Sequence, residues 1–101
     1  MLPVSLERVV EISMLPVLVE ASPADAGAEM LRLLSDEYGA TGYQDGDTWR
    51  ISIAPIDNVR RGTIIYRVIQ ASRTVETSYP DSLLYLITED GNRWRLPPPS
   101  L

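Results

Sequence analysis

Thr63-Ile64-Ile65-Tyr66-Arg67-Val68-Ile69-Gln70-Ala71 is a continuous β-branched run, and its reading decides the architecture. Taken with period two, Ile64, Tyr66 and Val68 fall on one face and Ile65, Arg67 and Ile69 on the other. Both faces then carry apolar residues, the pattern of a central strand covered on each side. Working outward, Trp49, Ile51 and Ile53 alternate with Arg50 and Ser52 and stop before Pro55, which predicts a half-buried strand. Ile56 to Gly62 reads as a loop. Val75, Thr77 and Tyr79 read as another short strand before the Pro80-Asp81 turn, and Leu83 to Thr88 as one more.

Near the amino terminus, Val10, Ile12 and Met14 alternate with Glu11 and Ser13. A short helix over 5–12 capped by Ser5 is the alternative there, and β-branched density favours the strand. Pro16 removes a ladder donor, so a strand through it lies at an edge or breaks there. One helix stands out. Ser22 is a good N-cap, Pro23 suits the first helical position, and Asp25 and Glu29 lie near the positive helix end. Met30, Leu31, Leu34 and Tyr38 form a stripe at 3.6-residue spacing, and Gly39 supplies the stop. Gly27 inside it costs about 1 kcal/mol relative to Ala, so either the site is merely tolerated or a close backbone contact requires it.

Asp45-Gly46-Asp47-Thr48-Trp49-Arg50-Ile51 is echoed by Asp90-Gly91-Asn92-Arg93-Trp94-Arg95-Leu96. A duplicated ligand-binding hairpin is one explanation. Shared turn grammar is the simpler one, because Asp-Gly supplies the positive φ of a hairpin turn and the flanking residues do not match. A two-residue Asp90-Gly91 loop would set Glu89 opposite Asn92, Ile87 opposite Trp94 and Tyr85 opposite Leu96. Arg93 and Arg95 would then share the other face with Leu86.

The expected architecture is therefore α+β: an antiparallel or mixed sheet of four to six strands with one main helix, about 22–38, packed on one face. A single domain spans 1–101, with a Pro-rich tail at 97–101 that reads as a stiff end favouring polyproline II. The expected core is Val17, Val19, Leu31, Leu34, Trp49, Ile51, Ile53, Ile64, Tyr66, Val68, Leu84, Leu86, Ile87 and Trp94.

Missing residue types narrow the chemistry. The chain has no Cys and no His, and its nine basic residues are all Arg. Thiolate nucleophiles, Cys-ligated metals, imidazole sites, Ser–His–Asp triads, P-loops and Schiff bases are thereby excluded. A catalyst would have to be built from carboxylates such as Asp36-Glu37 or Glu89-Asp90, and these read more simply as solvated acids. Asp45, Asp47 and Asp57 fail the calcium-loop spacing. No cofactor or metal is expected, and the sequence argues against an enzyme.

Net charge is −5, yet residues 48–73 carry five Arg against one acid. Arg60, Arg61, Arg67 and Arg73 are the candidate contacts for an anion or a partner, since guanidinium pairs bidentately with phosphate or carboxylate. The leading expectation is a non-enzymatic protein–protein interaction or regulatory module that self-associates, with another protein as the other possible partner. Nucleic-acid or anionic-ligand binding through 60–73 is one alternative, and a small carboxylate-dependent hydrolase is another. No segment approaches the ~20 apolar residues a membrane span needs, and the expected location is cytoplasmic.

Overall fold

Val17, Val19 and Ala21 alternate with Leu18, Glu20 and Ser22, and this six-residue period-two pattern becomes the central strand of the protein. In the computed structural model, residues 15–54 and 60–98 are described. The strand expected over 10–14 lies outside them. Strand β1 (Val17–Ser22) begins immediately after Pro16 and leads into helix α1 (Ala24–Tyr38). Strands β2 (Thr41–Asp45) and β3 (Thr48–Ile53) follow, then helix α2 (Arg61–Ser78) and strands β4 (Leu83–Ile87) and β5 (Arg93–Leu96). The sheet is antiparallel throughout, in the order β2-β3-β1-β4-β5. This is the split βαβ arrangement, two interleaved βαβ units, extended by β5.

The fold is α+β, with α1 on the sheet as the sequence predicts. The expected strand at Thr63–Ala71 and the shorter one at Val75, Thr77 and Tyr79 are corrected: residues 61–78 form one helix. Ile64, Val68, Ser72 and Val75 are its buried residues, spaced i, i+4, i+8 and i+11, one helical face. Tyr66, expected in the core, is 58% exposed. Eighteen residues without Pro exceed the usual strand length, and packing of the 3.6-period stripe overrides β-propensity. Both helices lie on one face of the sheet, α1 over β1 and β3 and α2 over β1 and β5. Arg67 Nε joins them through Glu37 Oε1 at 3.2 Å.

Ser22 does not cap α1. Pro23 occupies the cap position without a side-chain bond, and Asp47, in the β2–β3 turn, accepts the Ala24 N–H at Oδ1, 3.1 Å. Gly39 closes the helix with φ 64° and donates its N–H to Ser35 O. Gly27 is a close approach: a Cβ there would sit 2.4 Å from Trp49 Cδ1 and 2.8 Å from the Ala21 carbonyl.

The β4–β5 register also differs from expectation. Ile87 pairs with Arg93, Leu86 with Trp94, Tyr85 with Arg95 and Leu84 with Leu96. The loop is one residue longer than a two-residue turn because Thr88 closes on Asn92. Thr88 N–H donates to Asn92 O at 2.9 Å, and Gly91 N–H (φ 85°) to Thr88 O at 2.9 Å. A hairpin of this kind, a turn followed by glycine in the left-handed region, is the common three-residue solution. A one-residue slip exchanges the faces of every side chain, so Arg93 and Arg95 share a face with Ile87 and Tyr85, while Trp94 joins Leu86. The core lies between helices and sheet: Val17, Val19, Ala21, Met30, Leu34, Ile51, Ile53, Ile64, Val68, Val75, Leu84, Leu86 and Leu96 are among its buried residues. Leu31 and Trp49 pack against its edge, Ile87 is half-buried, and Trp94 is exposed, contrary to expectation. No helix among the described residues is long and apolar enough to cross a membrane.

Candidate binding faces

With both helices on one side, the opposite face of the sheet is bare among the described residues. The pleat sends every second residue of each strand there, and the registers set them in rows. One row crosses the five strands as Tyr43, Arg50, Glu20, Tyr85 and Arg95, and the next as Thr41, Ser52, Leu18, Ile87 and Arg93. Tyr43 is 63%, Leu18 39% and Leu83 48% exposed. Glu20, on the central strand, holds the face together. Its carboxylate accepts from Arg50 Nη1 at 2.7 Å and from Arg93 Nε at 3.1 Å. The same carboxylate pushes the Arg50 guanidinium pKa up. Asp45 lies 3.5 Å from Arg50 Nε. Arg95 stacks over Tyr85 with its guanidinium carbon 5.6 Å from the ring centroid and donates to Ser82 O at 3.0 Å. A cavity of about 460 Å³ opens on this face, lined by Leu18, Thr41, Tyr43, Arg50, Ser52 and Ile87 among others.

A second recess lies on the helix side. There α2 and the outer strand β5 border a cleft of about 600 Å³, with Ile65 and Ile69 from the helix and Leu86, Trp94 and Leu96 from the sheet. Trp94 is 62% exposed. Arg61, in the first turn of α2, also lines the cleft. Its side chain is 15% exposed, with Nη2 3.5 Å from Glu89 Oε2 and Nη1 buried without a hydrogen-bond partner among the described residues.

The four arginines singled out from the sequence do not form one patch. Arg60 precedes α2 and is exposed, and Arg61 enters the cleft. Arg67 pairs with Glu37 and donates to Gln70 Oε1 at 3.0 Å, while Arg73 is exposed two-thirds of the way along the helix. Positions 61, 67 and 73 are six residues apart, and at 3.6 residues per turn they point about 120° from one another around the axis. Helix formation disperses what the sequence places close together. The residues that gather instead, Tyr43, Arg50, Glu20, Tyr85 and Arg95, come from five strands. Alternation in β1 and β3 was the available signal for Glu20 and Arg50; Tyr43 had none.

Glu29 and Asp90 are held below the ordinary carboxyl range, by the Arg32 guanidinium and by the Thr88 hydroxyl respectively, whereas a general acid needs an upward displacement. Among the described residues no group of three or more acids could hold a metal ion; Asp57 lies outside them. The Asp45-Gly46 and Asp90-Gly91 turns end strands of opposite direction, so they sit at opposite ends of the sheet. No protein family, curated protein or solved structure matches this chain.

Proposed function

We propose that this protein is a non-enzymatic interaction module that works by self-association through the open face of its sheet. The observation that carries the reading is the central row Tyr43, Arg50, Glu20, Tyr85, Arg95. Tyrosine and arginine are the residue types enriched at protein interfaces and their energetic centres. The row is also self-complementary. A two-fold axis running along β1 reverses it, so Tyr43 of one copy meets Arg95 of the other and Arg50 meets Tyr85, while Leu18 in the adjacent row and Glu20, its charge already compensated by Arg50 and Arg93, each meet their own equivalents. Such reciprocal matching is what an isologous interface requires, and aligned packing of two sheets accommodates it. Glu20 weakens the case for a phosphate-binding surface, because it already engages two of the three arginines that the described residues place on the face.

Five strands of four to six residues give a face of roughly 24 by 17 Å. Two such faces bury roughly 800 Å² in total, below the ~1,200 Å² at which stable complexes begin, so a weak, reversible dimer of micromolar or lower affinity is expected. Leu18 is 39% exposed; burying the remainder contributes on the order of 1 kcal/mol per copy. Leu18→Asp removes this twice per dimer and should raise the dissociation constant at least roughly thirty-fold. Sedimentation velocity from about 5 to 500 µM tests the reading. Reversible dimerisation weakened by Leu18→Asp, and unaffected by Tyr66→Ala on the helix side, supports it. A monomer throughout, a dimer indifferent to Leu18→Asp, or salt-dependent binding of single-stranded DNA by the monomer would refute it.

A further inference from the structure

The cleft between α2 and β5 opens on the helix side of the sheet, away from Leu18 and Tyr43 of the proposed dimer face, and meets that face at its rim through Ile87, Arg93 and Arg95. We propose that this cleft binds an amphiphilic carboxylate, whose charged head is held by Arg61 and whose hydrocarbon lies along Trp94, Ile65 and Ile69.

The head-group assignment rests on Arg61. A guanidinium carries five donors, and leaving a buried donor unmade costs the full desolvation of that group. Arg61 is mostly buried, its Nη1 has no partner among the described residues, and its contact with Glu89 at 3.5 Å is an ion pair beyond ordinary hydrogen-bond length. Glu89 is itself 44% exposed, at the lip of the cleft. Arg61 therefore retains donors for an incoming acceptor. A carboxylate is the complement that a guanidinium recognises with paired bonds. The amino-terminal end of α2 adds a favourable dipole for the same charge.

The tail assignment rests on the walls. Ile65 and Ile69 lie one turn apart on the flank of α2, and Leu86, Trp94 and Leu96 face them from β4 and β5. An indole left 62% open beside them is apolar area that a hydrocarbon would remove from water. The volume, about 600 Å³, falls within the range of small-molecule sites. The register of β5 is what creates this arrangement, since it sets Trp94 on the helix side of the strand, while Arg93 and Arg95, on the other side of the same short edge strand, border the cleft at its rim.

The test uses the full chain with sodium decanoate below its micelle-forming concentration, decanol as the neutral tail, and acetate as the head group alone. Calorimetry measures affinity and tryptophan fluorescence reports the site. Decanoate should bind saturably and shift the emission, and Trp94→Phe should abolish the shift, because Trp49 packs against Gly27 elsewhere. Decanol, and decanoate to Arg61→Met, should bind at least about tenfold more weakly through the loss of charge-assisted bonds, and acetate at least as weakly through the loss of apolar burial. Glu89→Gln, exposed and outside the core, should tighten decanoate by relieving like-charge repulsion, and it carries the test where Arg61→Met does not fold. Leu18→Asp should leave binding unchanged. Decanol binding as tightly as decanoate, no effect of Arg61→Met, no gain in Glu89→Gln, or no saturable binding overturns the proposal.

Discussion

Gly27→Ala gives the sharpest test of how α1 meets the sheet. In an exposed helix the change gains about 1 kcal/mol from backbone propensity. Here the added Cβ would lie 2.4 Å from Trp49 Cδ1, 2.7 Å from Trp49 Cβ and 2.8 Å from the Ala21 carbonyl oxygen. The last two atoms cannot swing away, since one is fixed to the β3 backbone and the other belongs to β1. The helix must therefore lift from the sheet by a large fraction of an ångström. Overpacking of this kind costs about 1–3 kcal/mol, toward the upper half where backbone moves. The net expectation is a loss of about 1–2 kcal/mol, or roughly 5–15 °C in Tm for a domain of this size. Gly62→Ala is the internal control. It lies in the first turn of α2 with nothing within 4 Å of its would-be Cβ and no positive φ, so the same substitution should stabilise by about 0.4–1 kcal/mol. Urea denaturation with an unchanged slope measures both. A Gly27→Ala variant as stable as its parent would refute the packing of α1 against Trp49 and β1.

Two further predictions bear on other parts of the fold. Val68→Ala should cost about 2–3 kcal/mol, from lost burial and the cavity left behind, whereas Tyr66→Ala should stay within about 0.5 kcal/mol; a strand would place both residues on one face, so equal losses in chemical denaturation would argue against helix α2. Asp47→Ala should lose about 0.5–1 kcal/mol through the uncapped Ala24 N–H, and Asp47→Asn, which keeps an acceptor, should retain most of it; identical midpoints for Asp47→Ala and the parent would exclude the cap.

Helix α1, strands β3 and β4 and the presence of a turn at Asp90-Gly91 were legible because each is specified by residues near one another in the chain. Proline at 23, the stripe Met30, Leu34 and glycine at 39 delimit α1 without reference to anything distant. Helix α2 was not legible by the same means. Ile64, Ile65, Val68 and Ile69 satisfy a two-sided strand and a helical stripe equally, and only their continuation to Ser72 and Val75 separates the two. What resolves the ambiguity is the neighbouring α1 and the sheet surface, against which the 3.6-period stripe buries and the period-two set does not. The cap of α1 escaped for a related reason, since its acceptor comes from a turn 23 residues away.

Composition by itself determined what the chemistry cannot include, because absent side chains are absent in any fold, and local patterning determined the α+β class. Strand order, the β4–β5 register and the shared side of both helices were decided only by the tertiary structure. Those three facts place the functional candidates. They draw Tyr43, Arg50, Glu20, Tyr85 and Arg95 from five strands onto the face opposite the helices, turn Trp94 into the cleft beside Arg61, and scatter Arg61, Arg67 and Arg73 around a helix. The physical reason is that neighbours along the chain share a face only once the local period is set, and neighbours across a sheet share one only once the register is.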